Sequence, residues 1–423
     1  MTWLIIADDL SGAADCAIGF AAHGARTVVT LDTSADDIAQ ADILATDIAA
    51  ADIVATDVDS RRMAPEAAAA CNLLAWHSSH AHGGENGREN GRRLYKKIDS
   101  TLRGNWAAET AALQPVAGLA IVAPAFPATG RTTRDGRMFV KDQPLEDTDI
   151  WRLEGLSGPA DMVALLTTQG LRTASVSLYT MRAGSAAVRS QLAAWLADGF
   201  QAVVCDAEVE QDLVTLAEAS TGLDAPVFWV GSGGLARALS TVAPVVGAQP
   251  AAAPDRHKGP VLTLVGSMSG ISGKQAGYLC ERTGMPSLMV PPQVLRDGAD
   301  HAAWTTTQHT VAECLQAGRD LLVTIGRDDA FDPAEGPRLS NALAQLVLPH
   351  FKHVGSLIAT GGETARAMLA AAGIGALALK REVEPGVPLS ETTEHPARRV
   401  VTKAGAFGTE AALWLAWQAM RQD

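Results

Sequence analysis

The chain has 423 residues, 47% hydrophobic and 19% charged, with a formal net charge of −13. That length exceeds one ordinary hydrophobic core and predicts two domains. The negative charge excludes a nucleic-acid binder held by a basic surface, and no apolar run approaches the roughly 20 residues of a membrane-spanning helix.

The opening "MTWLIIADDLSG" has no basic region and its apolar run ends in two aspartates, which is not a signal-peptide pattern. Apolar, β-branched runs follow in chain order: "WLIIA", "RTVVTL", "DIVATD", "GLAIVAPA", "TASVSL", "AVVCD" and "VFWVG". Helical segments such as "AADCAIGFAAHG" and "RSQLAAWLADG" lie between them. This rhythm predicts an α/β fold, each domain a mostly parallel sheet flanked by helices. The stretch "HSSHAHGGENGRENGRRL" reads as an exposed loop, and His77, His80 and His82 within it imply no fixed metal geometry. Residues 240–260, rich in Pro and Ala, break the rhythm. The expected division is a first domain over 1–240, a linker over 241–259 and a second domain over 260–423. "VLTLVG", "SLMVPP", "DLLVTIG", "SLIAT" and "RRVVTK" are the strands expected there. Cys16, Cys71, Cys205, Cys280 and Cys314 are scattered without C-x-x-C pairs. They read against a disulfide framework or zinc site and fit a reducing cytoplasm.

Three junctions of the second domain run from a strand through a glycine turn into a helix. They are "LTLVGSMSGISGKQ" with Gly266, Ser267 and Ser269, "SLIATGGETARAMLAAAG" with Thr360, Gly361, Gly362 and Glu363, and "RRVVTKAGAFGTEAALWLAW" with Gly405 and Gly408. Glycine permits a sharp turn and close approach of a ligand. A helix beginning there points free N–H groups at the turn, which suits phosphate. Together the three favour a phosphate-rich ligand over plain turn chemistry. "GSMSGISGKQ" lacks P-loop spacing and "GIGALA" lacks the third glycine of a dinucleotide fingerprint. Lys403 either meets a phosphate or merely ends a strand.

The first domain sets acids and bases at strand ends. "WLIIADDLSGAAD" places Asp8 and Asp9 after the first strand, as substrate or metal contacts or else beside a helix cap made by Ser11 or Asp9. "ATDVDSRRM" ends another strand with Asp59, Ser60, Arg61 and Arg62, and arginine grips carboxylates with a planar fork. "LYKKIDSTLRGNW" surrounds Asp99, Ser100 and Thr101 with Lys96, Lys97 and Arg103. "APAFPATGRTTRDG", with Gly130, Arg131 and Arg134, reads as a Pro- and Gly-rich loop, and Gly231 to Gly234 as a turn that either faces a ligand or packs tightly. Such a domain suits a small hydroxylated acid. Asp99 or Asp9 would orient a hydroxyl or accept its proton, and the second domain would supply phosphate.

These motifs, with "GSGGLA", "GSMS", "TGGETA", "EPGVP" and "TKAGAFG" in order along nearly the whole chain, resemble the four-carbon acid sugar kinases, a family once catalogued as a domain of unknown function. The resemblance implies an N-terminal sugar-acid domain, a C-terminal domain for ATP with Mg²⁺, and an active site in the interdomain cleft. It assigns Asp9, Arg61, Lys97, Asp99 and Ser100 to the substrate, with Arg61 and Lys97 holding its carboxylate. Ser267, Thr360, Gly361, Gly362, Glu363 and Gly405 go to the nucleotide, and the linker becomes a hinge candidate. D-threonate is the leading substrate, ahead of D-erythronate and 3-oxo-tetronate, and a homodimer is expected. "DDLSGAADCA" departs mildly from the family's opening, and the His-rich loop is longer than usual. Two other classes compete: an isomerase or aldolase acting on a sugar-acid phosphate without ATP, and a non-catalytic sugar-acid sensor. The sensor explains the strand-end acids poorly.

Overall fold

The computed structural model describes residues 2–31, 48, 50–81, 91–154, 156, 158–243, 245, 255–329, 332–405 and 407–421. His82 and residues 246–254 of the expected linker lie outside them. The chain forms two compact units, residues 1–27 with 49–248 and residues 28–48 with 249–423. The first unit is therefore not one continuous run from residue 1, because Val28, Val29 and Thr30 pair with Ala378, Leu377 and Ala376 of the second.

In chain order, β1 (Trp3–Ala7) opens the first unit and β2 (Thr27–Leu31) carries the chain into the second. Back in the first unit come β3 (Ile53–Asp57), β4 (Arg93–Lys97) and β5 (Leu119–Ala123). A small antiparallel sheet, β6 (Arg131–Arg134), β7 (Arg137–Val140) and β8 (Gln143–Pro144), follows. The unit closes with β9 (Thr173–Val176), β10 (Ala202–Cys205) and β11 (Val227–Gly231). Its main sheet is parallel throughout, in the order β3-β1-β4-β11-β5-β10-β9. Every residue of β1 and β5 is buried, as expected of a parallel sheet covered on both faces. Trp3 anchors the core, its ring centroid 5.4 Å from Phe20 and 5.0 Å from Trp229.

Two segments read as loops are regular. The helix Pro65–Ala81 runs through His77, and Arg93 already begins β4. The Pro- and Gly-rich segment enters the β6–β7 hairpin at Arg131, with Asp135 and Gly136 as its left-handed turn. Both were hidden for the same reason. β4, "RLYKK", and β6, "RTTR", are rich in Arg, Lys and Thr, so they lack the apolar signature of a core strand.

The second unit contains β12 (Val261–Val265), β13 (Ser287–Val290), β14 (Leu321–Ile325), β15 (Ser356–Thr360), β16 (Ala376–Glu384), β17 (Val387–Thr392) and β18 (Arg399–Lys403). β13-β14-β12-β15-β18 is parallel, and β17, β16 and β2 extend it antiparallel. "EPGVP" is the turn joining β16 to β17, with Gly386 at φ +78°. Leu279, Ile358, Val401 and Leu413 belong to the buried core that packs the helices Gly270–Thr283 and Ala412–Arg421 onto the sheet.

Candidate active site

β1 lies between β3 and β4 with Ala7 opposite both Asp57 and Lys97. Three parallel strands thus end level, and ligands of such sheets bind beyond the carboxyl ends. The chain leaving them supplies Asp8 and Asp9, then Arg61, then Asp99 to Arg103. Pleating sends adjacent side chains to opposite faces, which separates the two lysines. Lys96 is fully buried and pairs with Glu109 at 2.9 Å, so its role is in the core. Lys97 turns to the strand-end cluster.

Arg61 forks across both aspartates, Nε to Asp8 Oδ2 at 2.7 Å and Nη1 to Asp9 Oδ2 at 2.9 Å. Lys97 Nζ donates to Asp8 Oδ1 at 2.9 Å and to Asp9 Oδ1 at 2.8 Å. Asp99 accepts from Arg103 Nη2 at 2.7 Å, from Thr101 N at 2.8 Å and from the Thr101 hydroxyl, with Arg61 Nη2 4.0 Å away. Asp9 also caps the helix Leu10–Ala22 by accepting from Gly12 N at 2.9 Å. Gly12 permits this closeness, because a Cβ there would overlap the Lys97 ammonium. Asp59 and Leu102, both non-glycine, hold φ of +49° and +58° beside the cluster. Such strain gathers where a site demands a particular backbone path.

Burial raises the Asp8 and Asp9 carboxyls, but Arg61 and Lys97 outweigh it and hold both below the ordinary carboxylate range. Asp99 is likewise raised by burial and pulled well below that range by Arg103 and Arg61. Burial lowers Lys97, yet Asp8 and Asp9 leave it raised overall. All four stay ionised at neutral pH. The Asp9 side chain is 25% exposed and that of Asp8 only 3%, so Asp9 is the one of the pair that a ligand can reach. Ser100 follows Asp99 half-buried at the same edge.

In the second unit, Val265, Thr360 and Lys403 end β12, β15 and β18 in register. Their three turns interlock. Ser269 caps the helix Gly270–Thr283, its Oγ accepting from Ser272 N at 3.2 Å and donating to Gly405 O at 2.9 Å. Ser272 Oγ donates to the same carbonyl at 2.8 Å. Gly405 carries no side chain for a steric reason: a Cβ there would overlap the Ser267 hydroxyl. Gly361 holds φ at +100°, and Glu363 sits in the first turn of the helix Gly362–Ala371. Lys403 is buried and points back at its own loop, donating to Ala404 O at 3.0 Å, Gly405 O at 3.1 Å and Phe407 O at 3.0 Å. Burial pushes its pKa down to about 8 against the pull of Glu384. Gln275 braces the same loop through Phe407 O at 3.1 Å and Thr409 O at 2.7 Å.

The cluster of the second unit contains residues that sequence reasoning passed over. Ser272 and Gln275 tie these turns together; a serine three residues after Ser269 is not the Glu or Gln of a capping box, and Gln275 had no local signal either. Among the described residues, no group of three or more His, Cys, Asp or Glu is arranged to hold a metal ion. The five cysteines are free thiols.

The chain matches the family model of a sugar-binding N-terminal domain over residues 3–239 and that of a nucleotide-binding C-terminal domain over residues 262–413. It is 65% identical over 428 residues to a D-threonate kinase of Cupriavidus necator, covering 100% of this chain and 99% of the relative. A D-threonate kinase of Bordetella bronchiseptica is 34% identical, with 99% and 97% covered. A crystal structure from Salmonella typhimurium LT2 shares the fold, with a TM-score of 0.80 at 22% identity and 99% of each chain covered. A collinear match through both domains leaves one conclusion: the chain belongs to the four-carbon acid sugar kinase family.

Proposed function

We propose that this chain is an ATP-dependent kinase that phosphorylates the terminal hydroxyl of D-threonate to give 4-phospho-D-threonate. The observation that carries the reading is the full-length, 65% identity to a D-threonate kinase. The ionic cluster of the first unit and the glycine and hydroxyl turns of the second agree with it in chemistry.

Asp9, Arg61, Lys97, Asp99 and Ser100 are the residues we assign to the sugar acid. Ser267, Thr360, Gly361, Gly362, Glu363 and Gly405 are those we assign to ATP. Arg61 and Lys97 are engaged with Asp8 and Asp9, so their first task is to order the aspartates. Asp9 or Asp99 then aims the terminal hydroxyl at the γ-phosphorus. Both are held below the ordinary carboxylate range and are weak bases. That suits a loose transition state, which needs positioning and charge neutralisation more than early proton removal. The new O–P bond forms as the bond to the β-phosphate oxygen breaks. ADP leaves with that electron pair, and the hydroxyl proton passes to the aspartate and on to water. Mg²⁺ enters as part of the MgATP substrate, held chiefly by phosphates and water.

ADP release with MgATP and a panel of D-threonate, L-threonate, D-erythronate, L-erythronate and 3-oxo-tetronate tests this. D-threonate should lead the others in kcat/KM by about 10-fold or more. No ADP with any acid would reject the kinase, and a lead by another acid would reassign the substrate. We also propose a cytoplasmic homodimer, the free thiols fitting a reducing compartment. Light scattering at the mass of the single 44.0 kDa chain would refute the dimer.

A further inference from the structure

The structure assigns the substrate's carboxylate to Arg131, and we propose this residue as the acid-recognition element of the site. The inference rests on the kinase reading above. Three cations at the strand ends of the first unit already have carboxylate partners: Arg61 and Lys97 on Asp8 and Asp9, and Arg103 on Asp99 with Glu154 3.8 Å away. Arg131 has none among the described residues. Among the described residues its guanidinium makes one hydrogen bond, from Nη1 to Thr129 O at 3.0 Å, and its buried Nε has no partner there.

Its backbone is fixed. Phe126 N donates to Arg131 O at 2.8 Å, Arg131 N returns to Phe126 O at 3.2 Å, and Gly130 takes the left-handed φ of +72° that turns the chain. The segment leaves β5, whose Ala123 lies level with Gly231 and, across β11, with Lys97. Arg131 therefore emerges at the same sheet edge as the ionic cluster. Asp99 and Arg103 are the charges that act on it, and burial lowers its pKa further than the Asp99 charge restores it. A half-buried guanidinium without a counter-ion costs stability on its own and is stabilised by an arriving anion. The carboxylate is the sugar acid's only anionic group before transfer, and a planar fork matches its geometry. A γ-phosphoryl group is the other anion of the reaction, and kinetics separates the two.

Wild type, Arg131→Ala and Arg131→Lys are compared with D-threonate and ATP varied independently. Arg131→Ala should raise KM for D-threonate about 100-fold, with kcat within about 5-fold and KM for ATP within about 2-fold. Arg131→Lys, which keeps the charge without the fork, should fall between the two. KM for D-threonate within about 3-fold of wild type overturns the assignment, as does a fall in kcat alone, which would place Arg131 on the phosphoryl group. Were the alanine variant not to fold, Arg131→Lys and Arg131→Gln supply the same split. Wild type that releases no ADP with D-threonate sinks the kinase reading and this inference together. An active wild type with an unchanged KM in Arg131→Ala sinks this inference alone.

Discussion

At the strand ends of the first unit, Asp8, Asp9, Arg61 and Lys97 bond one another through full charges. At those of the second unit, Ser267, Ser269, Ser272 and Gly405 meet through hydroxyls, a carbonyl and the absence of a side chain. Both edges arise from the same device, parallel strands ending in register before helices. The difference follows from the ligands we propose. A small acid offers few atoms, so its site must fix a hydroxyl with side chains that are themselves fixed, and buried ion pairs give that rigidity. A triphosphate brings its own charge and many oxygens, and close approach to backbone N–H groups serves it better. Lys403 underlines the contrast: a cation at a strand end in both units, but in the second it holds a loop in place rather than an acid.

The sharpest way to break this comparison is Lys97→Met. It leaves Asp8 and Asp9 side by side with Arg61 alone, and an uncompensated buried charge costs about 3–5 kcal/mol. We expect that loss in urea unfolding and a fall in kcat of more than about 1,000-fold. Stability within about 1 kcal/mol of wild type would mean that the cluster is not held by charge.

Next in size are Asp9→Asn and Asp99→Asn. Asparagine still caps a helix, so Asp9→Asn keeps the Gly12 bond while losing the charge. Each should lower kcat by about 100-fold or more through loss of hydroxyl alignment. A kcat within a few-fold of wild type removes that aspartate from the chemistry.

Gly405→Ala probes the other cluster. The added methyl meets the Ser267 hydroxyl and should raise KM for ATP about 10-fold, near 1.4 kcal/mol, with KM for D-threonate nearly unchanged. Equal rises in both constants would erase the division of labour between the two edges.

The smallest effects concern pH, and they fall at opposite ends of the scale. Asp8, Asp9 and Asp99 are depressed in the folded chain, so the unfolded chain binds protons first as pH falls. Their stabilisation is complete above the ordinary value of 3.8 and is lost progressively below it. Lys403 is depressed to about 8 from an ordinary 10.5, so between those values the unfolded chain keeps the proton that the folded chain has released. Stability should therefore rise across that alkaline window, and Lys403→Met should flatten the rise. Denaturant midpoints against pH check both, and an alkaline rise that survives Lys403→Met would refute its source.

Much of this was legible before the structure. "WLIIA" followed by two aspartates marked a strand edge, and the glycine turns of the second unit stood where they were read. The strand Arg93–Lys97 was not legible, because its lysines are buried by partners far along the chain: Glu109 for Lys96, Asp8 and Asp9 for Lys97. The hairpin at Arg131 escaped for a related reason, since "RTTR" and "RMFV" become strands only by pairing with each other. Lys403 left two readings open in sequence, a phosphate contact or a plain strand end, and the carbonyls around its ammonium show a role that neither named, anchoring its loop.

The sequence by itself determined the α/β class, the strand-turn-helix junctions and the helix start at Asp9, because periodicity, glycine and capping act within a few residues. The tertiary structure alone decided which cation meets which acid. Arg61 and Asp8 are 53 residues apart and Lys97 and Asp8 are 89 apart, joined only because parallel β1, β3 and β4 lie side by side. Lateral strand order is a non-local choice, made by packing and long-range pairing. That choice also gave β2 to the second unit and left Arg131 without an acid of its own among the described residues.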